Sequence, residues 1–232
     1  IYQSRDISDA GKQRTALGLR RAARLPVLTA LHTHFNQPTL LITDRADHAL
    51  TLLDELAIWA PTAERFYFPE PNPLFYERGE WGETTRRDRL LAITTLASYH
   101  IPAISKPVSA PILVCSARAV MTRTIPRREF LPATRTLKRE QVLPPGELSR
   151  ILVKLGYEPV NTVISPGRFA RRGGLLDIWP PADLQPTRIE YFGDEIDSLR
   201  NFDPATQRTT GTSGRLLVTP AREFLYDENN SI

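Results

Sequence analysis

Gly167-Arg168-Phe169-Ala170-Arg171-Arg172-Gly173-Gly174-Leu175-Leu176-Asp177-Ile178-Trp179-Pro180 is the stretch on which the reading of the fold turns. Two short runs, residues 169–172 and 175–179, meet at a glycine pair and are bounded by Pro166-Gly167 and Pro180-Pro181. Short runs between such turn residues read as neighbouring strands, and the glycine pair as a bulge or tight turn. The same grammar continues outward. Residues 187–192 and 196–202 flank the turn Gly193-Asp194, and residues 162–164 form a β-branched run before Pro166.

One helix interrupts this pattern. Pro144-Pro145 opens it, Leu148, Ile151, Leu152 and Leu155 give its apolar stripe, and Gly156 closes it in the left-handed conformation. The sum is a small α+β domain of antiparallel strands. After Gly211 and Gly214, residues 215–218 read as one more strand, expected to return to an upstream sheet.

Before Pro126 the periodicity is different. Residues 13–25 are helix-like and arginine-rich, and residues 39–43 are a buried-strand run. Leu50, Leu53, Leu56 and Ala57 follow at helical spacing, then residues 65–68 form a second strand closed by Pro69. Thr85 and Asp88 have capping-box spacing for a helix to about Ser98, with Leu90, Ile93 and Ala97 on one face. Residues 112–115 are a third strand, and Ser116 caps a helix over residues 117–123. Strands alternating with helices predict a parallel sheet. Past Pro126 helical patterning becomes scarce.

Composition bounds the function classes. A chain of 232 residues holds one large domain or two small ones. Its single cysteine, Cys115, rules out an internal disulfide framework and fits an apolar run as a small hydrophobe, so the expected compartment is cytoplasmic. No apolar run reaches bilayer-spanning length, and the first residues lack the apolar core of a signal peptide. The start at Ile1 without methionine and the patternless end suggest a piece of a longer protein.

Net charge is +4, and all basic residues but Lys12, Lys106, Lys138 and Lys154 are arginine. Acids and bases are interleaved, which suits a solvated surface, while a basic balance leaves nucleic acid open. Arginine suits planar, bidentate contacts at interfaces better than lysine.

Catalytic signatures are missing. No G-x-x-x-x-G-K-[ST] loop occurs; the place where one would precede a helix, residues 18–24, has neither lysine nor hydroxyl. His32 and His34 lack partners at zinc spacing, and His48 and His100 are isolated. Asp194-Glu195 reads as a turn pair rather than an acid–base pair. Expected metal and cofactor sites are therefore none.

Residues 156–160 and 166–180, then 188–200, Phe202-Asp203-Pro204 and Thr206-Gln207-Arg208 together resemble the UvrB-homology domain shared by UvrB and transcription-repair coupling factors. Upstream, residues 68–77, 86–96 and 115–121 resemble the first domain of that family more weakly. The missing P-loop and the forms Arg171-Arg172-Gly173-Gly174 and Gln207-Arg208 look more like the coupling factors than like UvrB.

The resemblance implies a fold class: α/β, a degenerate helicase-like parallel α/β domain with an inserted small α+β UvrB-type domain. It implies a first domain over residues 1–122, the UvrB-homology domain over 123–211, and a return into the first domain over 212–232. It implies a non-catalytic module that recruits UvrA to stalled RNA polymerase in nucleotide excision repair. The parent protein would be an ATP-dependent DNA translocase with its ATP/Mg motor downstream, acting on double-stranded DNA.

By motif, the family's UvrA contacts fall on Arg172, Arg188 and Phe192. Strand alternation agrees: if Ile189 and Tyr191 face the core, Arg188, Glu190 and Phe192 face out, an arrangement typical of interface hot spots. The structural alternative buries Phe192 under the 144–156 helix, pairs Arg172 with Asp177, and pairs Arg188 with Glu190 or Asp194. The rival functions are damaged-DNA binding by the arginines and a UvrB-like ATPase.

Overall fold

The computed structural model describes residues 18–71, 81–98 and 109–223. It is mixed α/β with three sheets. In the first lobe β1 (Thr39–Thr43), β3 (Ile112–Ser116) and β2 (Arg65–Phe68) lie parallel in the order β1-β3-β2. All five residues of β3 are buried because helices cover both faces. Ile112 and Val114 pack with Leu25 of α1 (Arg21–Phe35) and with Ala49 and Leu56 of α2 (Ala46–Trp59). Leu113 and Cys115 face the other way, onto Ala92 of α3 (Glu83–Ser98) and Ala119 of α4 (Ala117–Met121). The Ser116 hydroxyl accepts from the Ala119 amide at 3.1 Å, the expected cap.

Two helix boundaries differ from expectation. α1 runs through Pro26 to Phe35; the part of the expected 13–25 helix before residue 18 lies outside the described residues. Pro26 is the sixth residue of α1, so the helix gives up the bond that an amide there would make to Ala22 O, and the packing of Leu25 and the residues after it carries the helix past that point. α3 starts at Glu83, with Arg86 N–H donating to Gly82 O at 3.0 Å, so Thr85 is a buried helical residue and not a cap. The 18–24 stretch enters α1 directly; the first strand of this lobe passes into a helix at Asp44-Arg45, between β1 and α2.

The second lobe begins with α5 (Arg127–Ala133), a helix the sequence pattern did not announce. Phe130, 1% exposed, anchors it against Ala97 and Ile125. A six-stranded sheet follows in the order β10-β9-β8-β7-β6-β5, comprising β5 (Glu158–Pro159), β6 (Arg168–Arg172), β7 (Leu175–Trp179), β8 (Thr187–Phe192), β9 (Glu195–Phe202) and β10 (Thr209–Thr212). All its pairings are antiparallel except β5 with β6.

α6 (Pro145–Lys154) covers one face of this sheet, burying Leu148 and Leu152 against Phe169, Leu176, Ile178 and Ile189. Gly156 follows it at φ +85°, as expected for a left-handed helix end. The expected strand over residues 162–164 is instead an irregular segment lying on the opposite face. There Val163 packs with Ala170, Trp179 and Phe202 while Ile164 stays exposed. A single buried anchor needs no ladder.

β11 (Arg215–Val218) corrects a second expectation. It pairs antiparallel with β4 (Arg135–Lys138) and not with the parallel sheet, and Leu216 and Val218 close the second lobe's core. The chain reaches the first lobe only afterwards, at Glu223. The buried Arg89 of α3 donates to the Glu223 carboxylate and to Pro69 O, with its guanidinium 4.1 Å from the Phe68 ring and 5.0 Å from Trp81.

Candidate functional site

The uncovered part of the six-stranded sheet is built from cross-strand rows, in which opposed residues share a face. Asp177 stands opposite Arg188, and Arg188 opposite Arg200. In the next row Arg172 opposes Leu175, Leu175 opposes Glu190 and Glu190 opposes Ser198. At the hairpin tip Phe192 opposes Glu195, and Glu195 opposes Val142 of the segment before α6.

Alternation decides what points outward. Ile189 is fully buried and Tyr191 packs on the same core, so Arg188, Glu190 and Phe192 take the outer face. A bulge keeps this phase: Glu190 pairs with Ser198 but Tyr191 pairs with Ile196, leaving Asp197 as the extra residue. Ile196 stays buried and Phe192 is 85% exposed. Gly193 at φ +62° allows the tight turn directly after it.

Arg188 is held in place. Its Nε and Nη2 donate to the two oxygens of the Asp177 carboxylate at 2.7 and 2.8 Å, a bidentate pair. Its guanidinium also lies 4.9 Å from the Phe202 ring centroid. The hydrogen bond to Asp177 raises the Arg188 pKa further, so the side chain is a fixed cation. Glu190 accepts from the Ser198 hydroxyl at 2.6 Å and pairs with Arg200 at 3.3 Å. Arg172 reaches the other way, donating to Asn161 O and to Thr162 Oγ1 at 3.2 Å, which ties the 160–165 segment to the sheet while its side chain remains exposed.

The three residues singled out from sequence therefore share one face. Arg188 and Phe192 are about 13 Å apart by strand rise, and Arg172 lies two strands away. Phe192 is not under α6, Arg172 does not pair with Asp177, and the partner of Arg188 is Asp177 rather than Glu190 or Asp194. Sequence reasoning missed three members of the face. Asp177 is a lone acid in an apolar strand, a signal it offered; Leu175 and Val142, 39% and 72% exposed, join only through strand pairing.

Among the described residues no three His, Cys, Asp or Glu side chains are placed to hold a metal ion. His32 is buried, its Nδ1 2.9 Å from Thr39 Oγ1. Among the described residues no helix is long and apolar enough to cross a membrane.

Comparison with known proteins places this face in context. The UvrB interaction domain family matches residues 136–224, the lobe that carries it. Transcription-repair-coupling factors match along nearly the whole chain. The Bacillus subtilis protein is 29% identical over 221 residues, covering 92% of this chain and 17% of its own length. That of Myxococcus xanthus is 30% identical over 94% of the chain and 18% of its own length. By these matches the chain is similar to the transcription-repair-coupling factors. The Mycobacterium bovis member, 34% identical over 211 residues, covers 90% of the chain and 16% of its own length. The chain thus spans under a fifth of the length of these coupling factors.

Proposed function

We propose that this chain is the UvrA-recruiting module of a transcription-repair coupling factor, and that Arg172, Arg188 and Phe192 are its contact residues. The observation that carries this reading is the 85% exposed Phe192 on a sheet face where Arg188 is already oriented by Asp177. A ring with two torsions beside pre-oriented guanidinium groups loses little entropy on docking. The resemblance to the UvrB-homology domain, whose corresponding residues contact UvrA, supplies the partner, and the match of residues 136–224 to the UvrB interaction domain supports it.

In the same proposal the parent protein is an ATP-dependent DNA translocase of the cytoplasm that meets RNA polymerase and double-stranded DNA through other parts. The first lobe is a helicase-like fold, residues 1–122, without nucleotide binding. Supporting this, the β1–α2 turn carries Asp44 where a phosphate-binding loop would need amide donors. Hydrogen bonds from His48 and Thr43 hold the Asp44 carboxyl at about 2, a standing negative charge that repels phosphate. The UvrB-homology domain is assigned from residue 123 through β11, whose Leu216 and Val218 complete its core, with the first lobe regained at Glu223.

The deciding experiment is titration of this chain against purified UvrA. Saturable binding that Phe192→Ala weakens by about 2 kcal/mol or more supports the contact assignment. Equal binding by wild type, Arg188→Ala and Phe192→Ala removes it. A parallel ATP titration should be flat.

A further inference from the structure

Where the two lobes meet, four arginines from three separate segments line one cleft. Arg86 and Arg87 come from the first turns of α3, Arg168 from the start of β6, and Arg222 from the segment after β11. Two carboxylates face them, Glu83 and Glu158. Glu158 is shared: its oxygens lie 3.6 Å from Arg168 and 3.0 Å from Arg222. Arg86 and Arg87 are half-buried and make no ion pair among the described residues. The cleft therefore carries an excess of positive charge. Two of its cations sit near a helix N-terminus, where the dipole disfavours them unless an anion is close.

The cleft is assembled on purpose by backbone chemistry. Gly156, at φ +85°, leaves room for Arg222: a Cβ there would lie 2.8 Å from the Arg222 side chain. The Arg89–Glu223 pair fixes the next residue, so Arg222 is delivered across the lobe boundary.

We propose that this cleft grips the phosphate backbone of duplex DNA, without reading bases. Guanidinium forks match phosphate oxygens bidentately. Among the described residues the lining holds no aromatic ring, so it lacks the stacking platforms by which single strands are held. The contact is independent of the Phe192 face, which lies on a different part of the second lobe.

Fluorescence anisotropy of a labelled random-sequence duplex with this chain, across a salt series, tests the assignment. Binding should weaken steeply with salt, and Arg86→Gln with Arg87→Gln should weaken it about 10-fold while lowering the log–log salt slope by about 2. Glu158→Gln, which frees Arg168 and Arg222 from their shared carboxylate, should tighten binding. Phe192→Ala should leave it unchanged. Absence of duplex binding overturns the proposal. So does a double variant with wild-type affinity and slope, or an equal loss on Arg127→Gln with Arg128→Gln in α5. Binding of inorganic phosphate without duplex binding would assign the cleft to a free phosphate ligand and overturn the DNA reading.

Discussion

Arg89 and Glu223, 134 residues apart, form a two-bond ion pair in which both side chains are almost wholly buried. Arg89 sits in α3 of the first lobe, and Glu223 follows the last strand of the second. The pair is the point where the chain regains the lobe it left. Aromatic faces of Phe68 and Trp81 and the carbonyl of Pro69 complete the surroundings of the guanidinium. Removing one partner strands a buried charge, so Arg89→Met should cost about 3–5 kcal/mol in chemical denaturation. The double variant Arg89→Met with Glu223→Leu should recover much of that loss. Trypsin cleavage at Arg222 should accelerate in the single variant; an unchanged unfolding midpoint and cleavage rate would show that the pair does not join the lobes.

The sheet face that carries Phe192 makes a contrasting prediction for stability. Phe192 is exposed, so Phe192→Ala should shift unfolding by no more than about 0.5 kcal/mol. Arg188→Ala strands the buried Asp177 carboxylate and should cost about 1–3 kcal/mol. Thermal melts beside the UvrA titration separate lost contact from lost fold. A Phe192→Ala protein that melts like Arg188→Ala would place the ring in the core after all.

Asp183 sets a pH dependence. Burial pushes its carboxyl up to about 7, far above its unfolded value near 4. The folded chain therefore holds a proton that the unfolded chain releases between about pH 4 and 7, and stability falls as pH rises through that window. Asp183→Asn removes the ionisable group. Its melting temperature should exceed the wild type's at pH 8, by about 2 kcal/mol in stability, and the gap should close toward pH 4. A gap that widens at low pH would reverse the sign and refute the assignment.

Gly156 tests the seam between α6 and the segment after β11. An alanine there meets both a positive φ and the Arg222 side chain. Gly156→Ala should destabilise by about 1–2 kcal/mol. Because the clash falls on Arg222, the same change should disturb the interlobe cleft, read as altered salt dependence of duplex binding. Gly173→Ala has the same backbone strain with open space around it, and should cost stability without that second effect.

Local chemistry fixed much of this molecule in advance. The parallel three-stranded sheet was legible because β3 reads Ile112-Leu113-Val114-Cys115, apolar at every position, as a strand covered on both faces must be. The β6–β7 and β8–β9 hairpins were legible from their glycine turns, and Phe192 outward from the two-residue period of β8. α6 announced itself by Pro145, its apolar stripe and Gly156. These features depend on a residue and its near neighbours, so a one-dimensional reading captures them.

What the tertiary structure decided depends on contacts between distant segments. α5 exists because Phe130 finds a pocket beside Ala97 and Ile125, burial that outweighs weak local propensity. β11 pairs with β4, 80 residues away, because the edge of β4 is open and Leu216 and Val218 complete that lobe's core. The same holds for the Asp177–Arg188 pair, for Val142 across Glu195 from Phe192, and for the four arginines of the cleft. Each arises from cross-strand register or from the meeting of lobes, and the free energy of such contacts is set by geometry that no stretch of neighbouring residues encodes.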